Sequence, residues 1–174
     1  MSILRVLNVS RLNAMQGLSL IELMVCLTLL VTFCGLAAPL WQPWITRLQI
    51  EATRDQLMHE LQTARVQAMQ LGSSLKLVRL QGCAWSSQAS NDWSCGWQVF
   101  RQDTQQMMRS HATQAPIHIQ FTGTQEFVIG TNGELGTVGA RWNLQALPLS
   151  SDVQYVVCLN SAGRLRSKRG TSCS

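Results

Sequence analysis

The residues with the clearest chemistry lie near the C-terminus, in GRLRSKR at 163–169. Arg164, Arg166 and Lys168 are spaced by two, so in an extended segment all three point to one face and Leu165 to the other. A guanidinium forms paired hydrogen bonds to phosphate oxygens. Gly163 permits a tight turn that presents the row, and Arg169 adds a further positive charge. Such a row fits a polyanion with regular phosphates, as a backbone footprint without base readout. The same residues also fit a solvated basic edge that keeps a sheet from aggregating. Residue types alone leave these two readings even.

Charge placement sharpens this. The chain of 174 residues carries a formal +5. From Leu18 to Asp152 there are eight Lys/Arg and nine Asp/Glu; beyond Asp152 there are four Lys/Arg and no acid. The positive charge is concentrated in the tail.

Six cysteines are present. Cys26 and Cys34 lie in an apolar run, where a thiol behaves as a small hydrophobe. Cys83, Cys95, Cys158 and Cys173 allow three pairings. We expect the local pairs, Cys83–Cys95 and Cys158–Cys173, in an oxidising compartment. The second closes a loop of about 15 residues around the basic segment, worth about 3 kcal/mol in the chain-entropy model. No C-x₂-C pair occurs, and His59, His111 and His118 are scattered, so no metal is expected. There is no nucleophile elbow, no paired carboxylate and no His with an evident acid partner. The chain is expected to be neither an enzyme nor the carrier of a cofactor.

At the other end, MQGLSLIELM (15–24) puts Glu22 inside an apolar run. From Leu18 to Leu40 it is the only acidic or basic residue. That run is about 35 Å of helix, enough for a bilayer core of about 30 Å. It is too long for a signal-peptide core. Phe33, before Cys34, does not suit a lipoprotein signal, and a plain anchor leaves Glu22 unexplained. A carboxylate within a span costs about 3 kcal/mol and marks a functional position. Arg5 and Arg11 precede the run, which places the N-terminus in the cytoplasm and the body outside. Trp41 and Trp44 then fall at the outer interface.

These residues need elements to hold them. Pro39 and Pro43 are expected to bend or loosen the helix. Over 44–71, Leu57, Leu61, Ala64, Ala68 and Leu71 form one apolar stripe. Arg54, Asp55, Glu60 and Arg65 are expected largely off it, and Gly72-Ser73-Ser74 stops the helix. Strands are expected at 75–80, 96–100, 116–121, 126–130 and 153–160. The stretch 86–94 reads as an exposed loop. One long helix followed by strands means an α+β fold, the helix packed on antiparallel sheet.

The run G-L-S-L-I-E-L-M (17–24) resembles the processing signal of type IV prepilins and type II secretion pseudopilins, with Leu18 where Phe is usual. The order of further features resembles the GspH/FimT branch. These are A-R-V-Q-A-M (64–69), Cys83, G-W-Q-V-F (96–100), G-T-N-G (130–133) and G-R-L-R (163–166). The resemblance implies a leader, 1–17, removed after Gly17 by a prepilin peptidase, and N-methylation of Leu18. It implies a transmembrane helix at 18–43, a stem at 44–73 and a periplasmic β domain at 74–174, anchored in the inner membrane. Glu22 would act in assembly with other pilin or pseudopilin subunits. FimT-type members further imply that Arg164 and Arg166, with Lys168 and Arg169 beside them, bind double-stranded DNA in natural transformation. A GspH-type role in type II secretion is the structural alternative.

Overall fold

The computed structural model describes residues 19–136, 139–147 and 153–173, and the backbone alone for 36–40. Gly17 and Leu18, with the whole 1–17 leader, lie outside the described residues. The chain divides into two compact units, Met1–Trp41 and Gln42–Ser174.

One helix, α1, runs from Leu20 to Leu71 without a break at Pro39 or Pro43. Its first unit is apolar and exposed: Leu20, Ile21, Met24, Leu30, Val31 and Phe33 are all at least 60% open. Thr28 and Thr32 donate their hydroxyls to the carbonyls of Val25 and Leu29, at 2.9 and 2.7 Å. Each of these two hydroxyl protons is thereby satisfied within the helix. Cys26 and Cys34 are free thiols here. The sequence predicts a membrane-crossing segment over 18–43. Among the described residues, however, no helix is long and apolar enough to cross a membrane. The expected span includes Leu18 and 36–40, whose side chains lie outside that description.

In the second unit the stripe on α1 is the core face. Ile50, Leu57, Leu61, Ala64 and Ala68 are fully buried, while Leu71 at the helix end is exposed. Gly72 ends α1 with φ +59°, and the Ser73 N–H reaches back to the Ala68 carbonyl at 3.3 Å, closing the last turn. Among the described residues eight strands follow: β1 (Leu75–Arg79), β2 (Gly96–Arg101), β3 (Met107–Ala112), β4 (Ile117–Phe121), β5 (Glu126–Ile129), β6 (Arg141–Ala146), β7 (Gln154–Leu159) and β8 (Leu165–Arg169). They form two antiparallel four-stranded sheets, ordered β3-β2-β1-β5 and β4-β6-β7-β8. The fold is α+β, as the sequence implies; β3, β6 and the division into two sheets are additions, and the 164–168 segment that the sequence left open as extended forms strand β8 from Leu165.

Aromatic rings join the sheets. Phe127 of β5 meets Trp142 of β6 at 5.1 Å and Phe121 of β4 at 5.8 Å, and Trp142 stacks on Phe121 at 4.6 Å. Such pairs stabilise by about 1 kcal/mol beyond area burial. Glu60, expected off the stripe, is buried because Arg109 of β3 reaches it, Nε to Oε1 at 2.7 Å. Removing one partner of such a pair strands a buried charge, which is costly.

Candidate functional site

The tail's geometry begins at the turn between β7 and β8. Asn160 closes it with both backbone and side chain. Its N–H donates to the Arg164 carbonyl at 3.1 Å, and its carbonyl accepts the Gly163 N–H at 3.0 Å. Its Oδ1 accepts the Ala162 and Arg164 N–H groups, at 3.1 and 2.7 Å. Gly163 sits at φ +71°, a conformation other residues adopt only with strain. From the stem, Arg65 Nη1 donates to the Gly163 carbonyl at 3.0 Å. The turn is therefore held from its own side chain and from the helix.

β8 then pairs antiparallel with β7, Arg166 opposite Cys158 and Lys168 opposite Val156. It forms one edge of its sheet. Leu165 packs against the core, so Arg166 and Lys168, on alternate positions, face outward. Arg164, Arg166 and Lys168 are all exposed. Neither Arg164 nor Arg166 has an ion-pair partner among the described residues.

Arg169 is placed differently. It alternates onto the inner face, opposite Tyr155. Its Nε donates to the Tyr155 hydroxyl at 3.1 Å, and its Nη2 lies 3.8 Å from Glu51. The Tyr155 hydroxyl in turn donates to Glu51, which also pairs with Arg47 at 3.0 Å. Hydrogen bonds from Tyr155 and then Arg47 hold the Glu51 carboxyl below its ordinary range. Arg169 is thus a link to α1, separate from the outward row. Its position on the opposite strand face carries that signal.

Disulfides join Cys83 to Cys95 and Cys158 to Cys173. Gly170 bonds to the Gln154 carbonyl at 3.0 Å, so the chain must run back about 13 Å to bring Cys173 to Cys158. It returns over the outer face, past Val156, which is completely buried although it faces away from the core. The bridge therefore ties the tail down beside Arg166.

The 86–94 loop is exposed only in its first half. Asp92, Trp93 and Ser94 are buried. Asp92 accepts bonds from Ser86 Oγ at 3.0 Å, Ser87 Oγ at 2.7 Å and the Ser94 N–H at 2.9 Å, and from the Ser94 hydroxyl. Burial pushes its carboxyl up, and the bonds from Ser94 and Ser87 outweigh this, lowering it to about 2. Ser94 Oγ lies 3.2 Å from His118 Nδ1, which brings Asp92, Ser94 and His118 together. The arrangement is structural. Ser94 is fully enclosed, gives its proton to Asp92, and accepts the Ile119 N–H at 3.0 Å. Trp93 is in the core and Trp85 is half-buried, its Nε1 bonded to the Ser94 carbonyl at 3.0 Å, so neither is free to stack on a base.

The model of the family described as Type II transport protein GspH matches residues 53–163. The chain belongs to the GspH family. In fold this GspH-family chain is similar to the type IV minor pilin FimU of Pseudomonas aeruginosa PAO1. The TM-score is 0.58 at 17% identity, covering 74% of this chain and 97% of FimU. It is also similar to EpsH, the minor pseudopilin of the Vibrio cholerae type 2 secretion system. There the TM-score is 0.52 at 10% identity, covering 70% of this chain and 97% of EpsH. No curated protein matches the chain. It is a minor pilin or pseudopilin of the GspH type. The matched family span ends at Gly163, so Arg164, Arg166 and Lys168 stand just beyond it.

Proposed function

We propose that this GspH-type subunit is a FimT-like minor pilin that binds double-stranded DNA through Arg164 and Arg166 for uptake in natural transformation. It is made as a prepilin, held in the inner membrane by the apolar start of α1 with its C-terminal domain in the periplasm. Prepilin peptidase cuts it after Gly17, Leu18 is N-methylated, and the subunit joins other pilins in a filament. The observation that carries the DNA role is the exposed Arg164 and Arg166, without an ion-pair partner among the described residues, on a turn fixed by Asn160, Arg65 and the Cys158–Cys173 bridge. Fixing the turn in advance lowers the ordering cost of binding. Lys168 extends the row; Arg169, bonded to Tyr155, supports it from the other face. The apolar, exposed side chains from Leu20 to Phe33 supply the surface that membrane or neighbouring helices cover.

The test is duplex DNA binding by the full chain in neutral detergent, followed by anisotropy. Affinity is expected in the micromolar range, falling steeply as salt rises. Arg164→Gln with Arg166→Gln is expected to weaken it about tenfold or more and reduce the salt slope by about 2. Unchanged binding would remove the DNA role. It would leave a structural pseudopilin of type II secretion, the reading favoured by the family description and the EpsH fold.

A further inference from the structure

We infer that Arg141 is a further phosphate contact, and that the site consequently takes duplex DNA in preference to a single strand. This rests on the DNA role proposed for Arg164 and Arg166. Arg141 opens β6 and is exposed. It opposes Cys158 of β7, and Cys158 opposes Arg166 of β8. Residues directly opposed in antiparallel strands share a face. The next residues of β6 confirm which face: Trp142 and Leu144 are buried in the core, so Arg141 faces outward with Arg166.

The backbone at Arg141 is clamped. Its N–H donates to Thr122 Oγ1 at 3.0 Å, and its carbonyl accepts the Thr122 N–H at 3.0 Å. Its guanidinium has no ion-pair partner among the described residues. No Asp or Glu occurs in β4, β6, β7 or β8, so this sheet carries no anion to compete with a phosphate.

The spacing distinguishes the ligand. Arg166 and Lys168 follow one line, about 7 Å apart along β8, with Arg164 in the turn just before it. Arg141 stands two strands away, about 10 Å across the sheet from Arg166. A duplex presents two lines of phosphates on either side of a groove, about 6 Å wide for the minor and about 12 Å for the major. Two long side chains rooted about 10 Å apart can reach both lines. A single strand offers one. Between Arg141 and Arg166 on the same face lies Cys158, bridged to Cys173.

The experiment titrates the full chain in neutral detergent with a short duplex and with one of its strands. Arg141→Gln is expected to weaken duplex binding about fivefold, with a salt slope shallower by about 1 and single-strand affinity little changed. Arg141→Lys is expected to restore the slope. Unfolding midpoints of the variants verify that the fold is intact. A weakened Arg164→Gln/Arg166→Gln variant beside an unchanged Arg141→Gln overturns this inference and leaves the tail's role standing. An unchanged double variant overturns that role and this inference with it. Equal losses for duplex and single strand overturn the duplex preference.

Discussion

Arg65 of the stem helix donates from Nη1 to the carbonyl of Gly163 at 3.0 Å, tying the helix to the turn that starts the basic row. The two residues are far apart in sequence, yet the bond fixes the backbone immediately before Arg164. A helix packed in a filament would thereby hold the turn of the basic row at a set height and angle.

Replacing Arg65 with Ala removes this charge-assisted bond and leaves the Gly163 carbonyl to water. We expect stability to fall by about 1–2 kcal/mol, read as a lower denaturant midpoint. DNA affinity should weaken with its salt slope unchanged, because Arg65 positions the turn without touching phosphate. A slope reduced by a full unit would instead make Arg65 a direct contact.

The Asp92 network gives a pH signature. The folded carboxyl lies at about 2, below its ordinary value of 3.8. A group whose pKa is depressed on folding stabilises above its unfolded pKa and loses that contribution as pH falls through the folded one. Stability should therefore drop between about pH 4 and pH 2. Asp92→Asn should be less stable at neutral pH and lack that part of the drop. Denaturant midpoints of the two proteins across this range test it; parallel curves would assign the acid sensitivity to other carboxylates.

How much of this was legible in the sequence differs by element. The stem stripe Leu57, Leu61, Ala64 and Ala68 is a strong 3.6-residue signal and is buried throughout. β1, β2, β4, β5 and β7 carry β-branched and aromatic residues that fit a pleated surface. β3, MMRSHA, has no such signal, since only tertiary pairing with β2 and the Glu60–Arg109 ion pair make it a strand. β6 does carry the strand alternation, Trp142, Leu144 and Ala146 buried with Asn143 and Gln145 between them, over a stretch too short to stand out. The burial of Asp92 is not legible in the sequence, because its hydrogen-bond donors are serines of the same loop and only the fold brings His118 to within 4.0 Å of it. The alignment of Arg141 with Arg166 across Cys158 is not legible in the sequence, because it depends on the register of three strands.

The bridge between Cys158 and Cys173 should matter to binding as well as stability. Cys158→Ser with Cys173→Ser is expected to cost about 3 kcal/mol in denaturant unfolding. The freed tail should expose Val156 and speed amide exchange there. DNA affinity should fall while the salt slope holds, since the charges remain but are less ordered. Unaltered affinity would show that the row is fixed by β7 pairing alone.

Glu22 lies in the first turn of α1 and is exposed. After cleavage the Leu18 amine of a neighbouring subunit would be its counter-ion, in a low-dielectric bundle where an unpaired carboxylate is costly. Glu22→Ala should leave processing intact by mass spectrometry and deplete the subunit from sheared filaments. Normal incorporation would refute the pairing.

The most direct measurement is DNA uptake by cells. Chromosomal Arg164→Gln/Arg166→Gln is compared with wild type, counting DNase-protected duplex DNA per cell, with filament incorporation verified in the same strains. Normal incorporation is expected, with uptake reduced to the level of a strain lacking the subunit. Wild-type uptake in the double variant would contradict it.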